Sequence, residues 1–240
     1  MAMPPGNSVL ISAGRGVLYS EPMSAKQLVV AAILLPLIPV VYWTVSVATE
    51  FAAADQIVAI LWVYHPARLL ALVGFVMMFY QFVLGTRLPV MESVAPRAKL
   101  LTQHRSLGKA GFILILVHGV IMLSADLIDY RRVIFNLPKL LGITALFLLI
   151  IAVIASWFFK PFKFQYNTWK KMHLLAYLVF PLAFFHAIML GTTVRGYIAV
   201  RVLFVVLMLV YTAILVYRLA GSPQKKPAGG RGKPDGAQSR

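Results

Sequence analysis

The sequence predicts an all-α fold: an integral membrane bundle of six helices. Three observations carry that expectation. Hydrophobic residues make up 60% of the 240 and charged residues only 12%, against about 25% charged in an ordinary soluble domain. Six apolar stretches each reach the roughly 20 residues a helix needs to cross a bilayer. The basic residues gather in alternate connections between those stretches, as membrane topology demands.

The expected spans are Leu28–Ala48, Leu61–Leu84, Leu107–Ala125, Leu140–Phe159, Met172–Gly191 and Tyr197–Leu219. Short connections imply one domain, residues 27–220. Residues 1–26 read as a flexible cytoplasmic N-terminus, and 221–240, rich in Gly, Pro, Lys and Arg, as a disordered basic cytoplasmic tail. The small residues Ala52–Ala54 resemble a signal-cleavage site, but the apolar run before them exceeds the usual 7–15 residues, which favours an uncleaved first span.

With the N-terminus inside, the inner segments carry Arg15, Lys26, Arg87, Arg97, Lys99, Arg105, Lys160, Lys163, Lys170, Lys171, Arg218 and the basic tail, 16 of the 23 basic residues. The outer loops carry Arg131, Arg132, Lys139 and Arg195, and the acids Glu50, Asp55, Asp126 and Asp129. Both termini are therefore expected in the cytoplasm, in a bacterial-type inner membrane. The net charge of +16 belongs to this asymmetry and to anionic lipid, and no nucleic acid partner is expected. Cysteine is absent, which excludes disulfides, thiolate zinc sites and iron–sulfur clusters.

Four of the five histidines lie in two spans: His104 and His118 in the third, His173 and His186 in the fifth. Fourteen helical residues rise about 21 Å and turn about 1400°, within roughly 40° of four full turns, so His104 and His118 share a face near opposite membrane surfaces. Thirteen residues rise about 19.5 Å, which matches in depth, but leave His173 and His186 about 140° apart on an ideal helix. Pro181 lies between them and offers a bend that changes the phase. Both spans run from inside to outside, so His104 meets His173 at the inner level and His118 meets His186 at the outer level. Two facing imidazoles can hold one haem iron from above and below. The expected architecture therefore stacks two b-type haems between the third and fifth helices. No carboxylate lies beside the histidines to make a compact metal cluster.

Gly108 and Gly111 follow His104 at i+4 and i+7 and would leave room for a flat macrocycle. Gly119, Ala183 and Ala187 are likewise small and near the ligands. Ordinary helix packing competes with that reading. His65 precedes Pro66 and reads as an interfacial residue. Arg68, one turn deeper, needs a counter-charge, for which an outer haem propionate is the expected partner, with snorkelling as the alternative. Arg105, Lys170 and Lys171 flank the inner pair and would meet the inner propionates or simply follow the positive-inside pattern.

The segments Gln103-His104-Arg105-Ser106-Leu107-Gly108 leading to His118, and Trp169-Lys170-Lys171-Met172-His173 leading to His186, resemble the ferric reductase-like transmembrane domain. That family includes NADPH oxidases, ferric-chelate reductases and the haem-binding membrane subunit of a periplasmic methionine sulfoxide reductase. The likeness covers roughly residues 60–220. It implies bis-histidine b haems that pass electrons outward from a cytoplasmic donor, and it places Arg68 like an arginine near the outer haem of the oxidases. No phosphate-binding glycine loop follows the sixth span. A separate flavoprotein, an FMN or FAD at the cytoplasmic face, or a membrane quinol is thus the expected donor. Ferric iron, oxygen or a periplasmic redox protein is the expected acceptor. Two competing readings are a quinol-linked cytochrome b subunit of a periplasmic reductase and, outside redox chemistry, a small histidine-containing proton-coupled transporter or membrane anchor.

Overall fold

In the computed structural model, residues 25–53, 59–158 and 165–221 are described. Most of 1–26, nearly all of 221–240, and Asp55, Lys160 and Lys163 lie outside these residues. The first span is built from α1 (Ala25–Leu34) and α2 (Leu37–Ala53), broken at Pro36. The second is α3 (Ala59–Gly85). After the short α4 (Pro89–Val94), the third is α5 (Arg97–Tyr130) and the fourth α6 (Leu137–Trp157). The fifth divides into α7 (Tyr166–Leu174) and α8 (Ala176–Leu190). A single-turn α9 (Thr192–Gly196) leads into α10 (Ile198–Leu219), the sixth. Six helices among the described residues are long and apolar enough to cross a membrane. They mark a multi-pass membrane protein, and their number and order agree with the sequence.

Two antiparallel helix pairs form the frame. Helix α5 packs along α3, and α6 packs along α7 and α8. Gly74 makes the first contact close: a Cβ there would come within 2.7 Å of Ile115. At the inner end Arg97 donates to the Leu84 and Gly85 carbonyls at 3.1 and 3.0 Å, capping α3 where its last turn runs out of helical donors. On one side the pairs are sealed by α10. The Phe75 ring stacks between Phe204 at 4.2 Å and Phe180 at 4.6 Å, a buried aromatic core that joins α3, α8 and α10. Outward faces of α1, α6 and α10 carry exposed Ile33, Phe147 and Leu209, as helices facing lipid should.

The carbonyls freed by two prolines are matched by tyrosines. A proline has no N–H, so it strips the helical donor from the carbonyl four residues before it, and a bare carbonyl in hydrocarbon costs several kcal/mol. Pro36 frees the Ala32 carbonyl, which accepts the Tyr80 hydroxyl of α3 at 2.5 Å. Pro181 frees the Tyr177 carbonyl, which accepts the Tyr211 hydroxyl of α10 at 2.5 Å. Each freed carbonyl is thereby tied to a neighbouring span. Tyr211→Phe leaves the Tyr177 carbonyl without a donor and is expected to lower unfolding free energy in micelles by about 1–3 kcal/mol. An unchanged denaturation midpoint would count against this bond.

Candidate functional site

The four histidines of the third and fifth spans meet in the two pairs that their depths require. The ring centres of His104 and His173 are 6.2 Å apart and those of His118 and His186 are 6.5 Å apart. Although the rings face each other, the backbones of α5 and α8 make almost no contact, so a slot runs between the two helix pairs. Among the described residues no three His, Asp or Glu side chains gather as a metal cluster.

Each ring is anchored through Nδ1 to the helix behind it. From α5, His104 Nδ1 lies 3.2 Å from the Gln81 carbonyl and His118 Nδ1 lies 2.9 Å from the Ala67 carbonyl, both on α3. From α8, His186 Nδ1 lies 2.8 Å from the Pro138 carbonyl of α6. His173 on α7 lies 3.0 Å from the Ser156 hydroxyl of α6, which itself donates to the Ala152 carbonyl at 2.9 Å. A carbonyl can only accept, so three of these bonds require the proton on Nδ1. The fourth ring, His173, also reaches the Ala152 carbonyl, which likewise can only accept, so the proton again sits on Nδ1 and the Ser156 oxygen is a second acceptor. All four imidazoles therefore hold the Nδ1–H tautomer and carry their lone pair on Nε2, which no hydrogen bond engages among the described residues. This is how a histidine is prepared to bind a metal.

The anchors share one spacing. Ala67 and Gln81 are fourteen residues apart on α3, as are Pro138 and Ala152 on α6 and His104 and His118 on α5. Four residues after each acceptor stands a small residue: Ala71, Gly85, Gly142 and Ser156. Helical side chains lean back over the preceding turn, so a large residue there would cover the carbonyl. At Gly142 a Cβ would lie 2.6 Å from His186 Nδ1, and only glycine admits the ring.

The fifth span departs from an ideal α-helix at Leu175. Helix α8 passes through Pro181 without interruption. Between α7 and α8 the backbone tightens, with Leu175 N–H bonded to the Met172 carbonyl and Leu178 N–H to the Leu175 carbonyl. These i→i+3 bonds turn the chain further per residue than an α-helix does, supplying part of the rotation that thirteen residues lack.

A cavity enclosing about 1290 Å³ of empty space, open mouth included, surrounds the outer pair. His118, His186, Gly119, Ala183 and Ala187 line it, although a Cβ on Gly119 would come within 2.6 Å of Leu146. Gly108 and Gly111 face α3. A Cβ on Gly108 would meet Gln81 at 3.0 Å, and one on Gly111 would meet Met77 at 3.2 Å. Both glycines serve the close approach of α5 to α3, and the room expected for a macrocycle is filled by α3 side chains.

The surroundings of Arg68 also differ from expectation. Helix α2 continues to Ala53 and carries Glu50, which the sequence assigned to a loop. Arg68 Nη1 donates to Glu50 at 2.8 and 3.0 Å, and Nη2 donates to Ser46 and Thr193 at 2.7 Å each. Arg68 is only 7% exposed: a protein carboxylate balances its charge, while the residue also borders the cavity beside His118 and His186 and its Nε has no partner among the described residues. His65 is buried at 2% exposure, with Phe51 against its ring and Glu50 at 3.7 Å. Arg105, Lys170 and Lys171 are exposed. At the outer mouth Lys139 pairs with Asp126, joining α6 to α5. Glu50, Ser156 and Gly142 were not singled out in the sequence. The fourteen-residue step from Gly142 to Ser156 is the signal that marks the last two.

Residues 70–184 match the family model described as the ferric reductase like transmembrane component. The matched stretch runs from the middle of α3 into α8 and ends two residues before His186. No curated protein matches the chain significantly.

The Glu50–Arg68 pair can be tested by a double-mutant cycle. Glu50→Ala leaves a buried cation unbalanced, whereas the double variant removes both charges. The coupling in unfolding free energy is expected at about 1–3 kcal/mol, moderated by the partial exposure of Glu50. Additive losses would contradict the pair.

Proposed function

From the premise that residues 70–184 form a ferric reductase-like transmembrane domain, we propose that the protein is a di-haem cytochrome b that carries electrons across the membrane. His104 and His173 hold one haem b at the inner level; His118 and His186 hold the other at the outer level. The donor is a cytoplasmic flavin, on a separate flavoprotein or as FMN or FAD at the inner face, and the acceptor on the outer side is ferric iron, oxygen or a periplasmic redox partner.

The observation that carries this reading is the arrangement of four facing imidazoles with every lone pair on Nε2. The fit can be checked by distance. Two collinear metal–imidazole bonds of about 2 Å, with each ring centre roughly 1.2 Å behind its nitrogen, place the ring centres about 6.4 Å apart. The rings stand 6.2 and 6.5 Å apart. A lone ion would need further protein ligands, and the pairs offer two each; a porphyrin supplies its own four nitrogens. Iron porphyrin supplies one-electron redox chemistry.

The chain's own residues then have three tasks. The histidines ligate through Nε2. The α3 and α6 carbonyls, with Ser156, fix ring orientation and raise ligand basicity through Nδ1–H. The aromatic seal of Phe75, Phe180 and Phe204 keeps the surroundings apolar. Basic connections on the His104 side fit a cytoplasmic inner face, so outward electron flow across a negative-inside potential gains about 2.3 kcal/mol per 100 mV.

Purified protein is expected to show a split reduced b-type spectrum with about two haems per chain. His118→Ala should remove the outer component and keep the inner, and Gly142→Leu should weaken the same outer component by displacing His186. A folded, colourless wild type would end the proposal.

A further inference from the structure

One of the four anchors has a partner that the other three lack. His104, His118 and His186 bond to backbone carbonyls, which no substitution removes. His173 likewise reaches the Ala152 carbonyl, the acceptor that the fourteen-residue step from Pro138 places on α6, but it alone also meets a side chain, the Ser156 hydroxyl at 3.0 Å. That hydroxyl bonds to the Ala152 carbonyl as well.

We propose that Ser156 is a positioning residue that sets the redox potential of the inner, His104/His173 centre through its hydrogen bond to His173, making that potential separately adjustable from the outer one. This rests on the haem ligation proposed above. Hydrogen bonding at Nδ1–H raises the electron-donating power of Nε2. A more basic axial ligand favours ferric over ferrous iron and lowers the potential. The hydroxyl is also polarised by its own bond to Ala152, which strengthens it as an acceptor. Loss of the hydroxyl makes His173 a weaker donor, so the inner iron becomes easier to reduce. The ring itself stays in place, because Trp169 stacks on it with planes 11° apart and centres 5.4 Å apart. The outer pair has no counterpart: both of its anchors are main-chain atoms.

The test is a potentiometric titration of the purified holoprotein with dithionite and mediators, following the two b-type components separately. The inner component is identified as the one lost in His104→Ala. Ser156→Ala is expected to keep both haems and to shift only the inner component to higher potential. Ser156→Thr, whose hydroxyl can make the same bonds, is expected to restore the wild-type value. Unchanged potentials in Ser156→Ala, an equal shift of both components, or failure of Ser156→Thr to restore the value would overturn the inference. A wild-type protein without Soret absorbance would instead overturn the haem ligation beneath it.

Discussion

A neutral imidazole inside an apolar bundle carries one N–H that must find an acceptor and one lone pair that need not. Burying an unpaired polar hydrogen costs about 1–3 kcal/mol, so the position of the acceptor decides which nitrogen keeps the proton. Here α3 and α6 present carbonyls behind every one of four rings, joined at His173 by the Ser156 hydroxyl. The lone pairs are left on the side away from those carbonyls. The orientation of the four imidazoles follows from the backbone of the helices that carry none of them.

That dependence explains the pairing of helices. Helix α3 supports the histidines of α5, and α6 supports those of α7 and α8, so each ligand helix and its support form a unit. The two units need not touch through α5 and α8; they are joined by α10, by the aromatic core and by α5 against α6 with its Lys139–Asp126 pair. The tyrosine bonds to proline-freed carbonyls work in the same sense, tying them to neighbouring spans without filling the slot. At the outer end the Glu50–Arg68 pair, with Ser46 and Thr193, ties α2, α3 and α9 together. The arginine beside the cavity is thereby also part of the scaffold.

The spans and the depth of the histidine pairs were legible in the sequence because hydropathy and helical rise are nearly independent of tertiary contacts. The rotational phase of His173 and His186 was not. It depends in part on a change of hydrogen-bond pattern at Leu175, a residue with no backbone peculiarity, whereas the visible Pro181 is absorbed without breaking α8. Glu50 was misplaced because α2 runs a turn beyond its most apolar segment. Gly108 and Gly111 lie on the face that joins the two histidines, but that same face leans on α3, and periodicity alone does not tell which neighbour fills the space left by a glycine. The repeated step of fourteen residues between Ala71 and Gly85, and between Gly142 and Ser156, was present in the sequence. It becomes meaningful only when those helices are known to lie behind the histidines.

The central claim, that four Nδ1-anchored histidines turn their Nε2 atoms onto two iron porphyrins, is tested most directly by an experimental density map of the pigmented protein in a lipid disc. The account predicts two flat densities in the slot, one bonded to Nε2 of His104 and His173 and the other to Nε2 of His118 and His186, with each Nδ1 still on its α3 or α6 partner. Iron bonded through Nδ1, or porphyrin held by other residues, would contradict it.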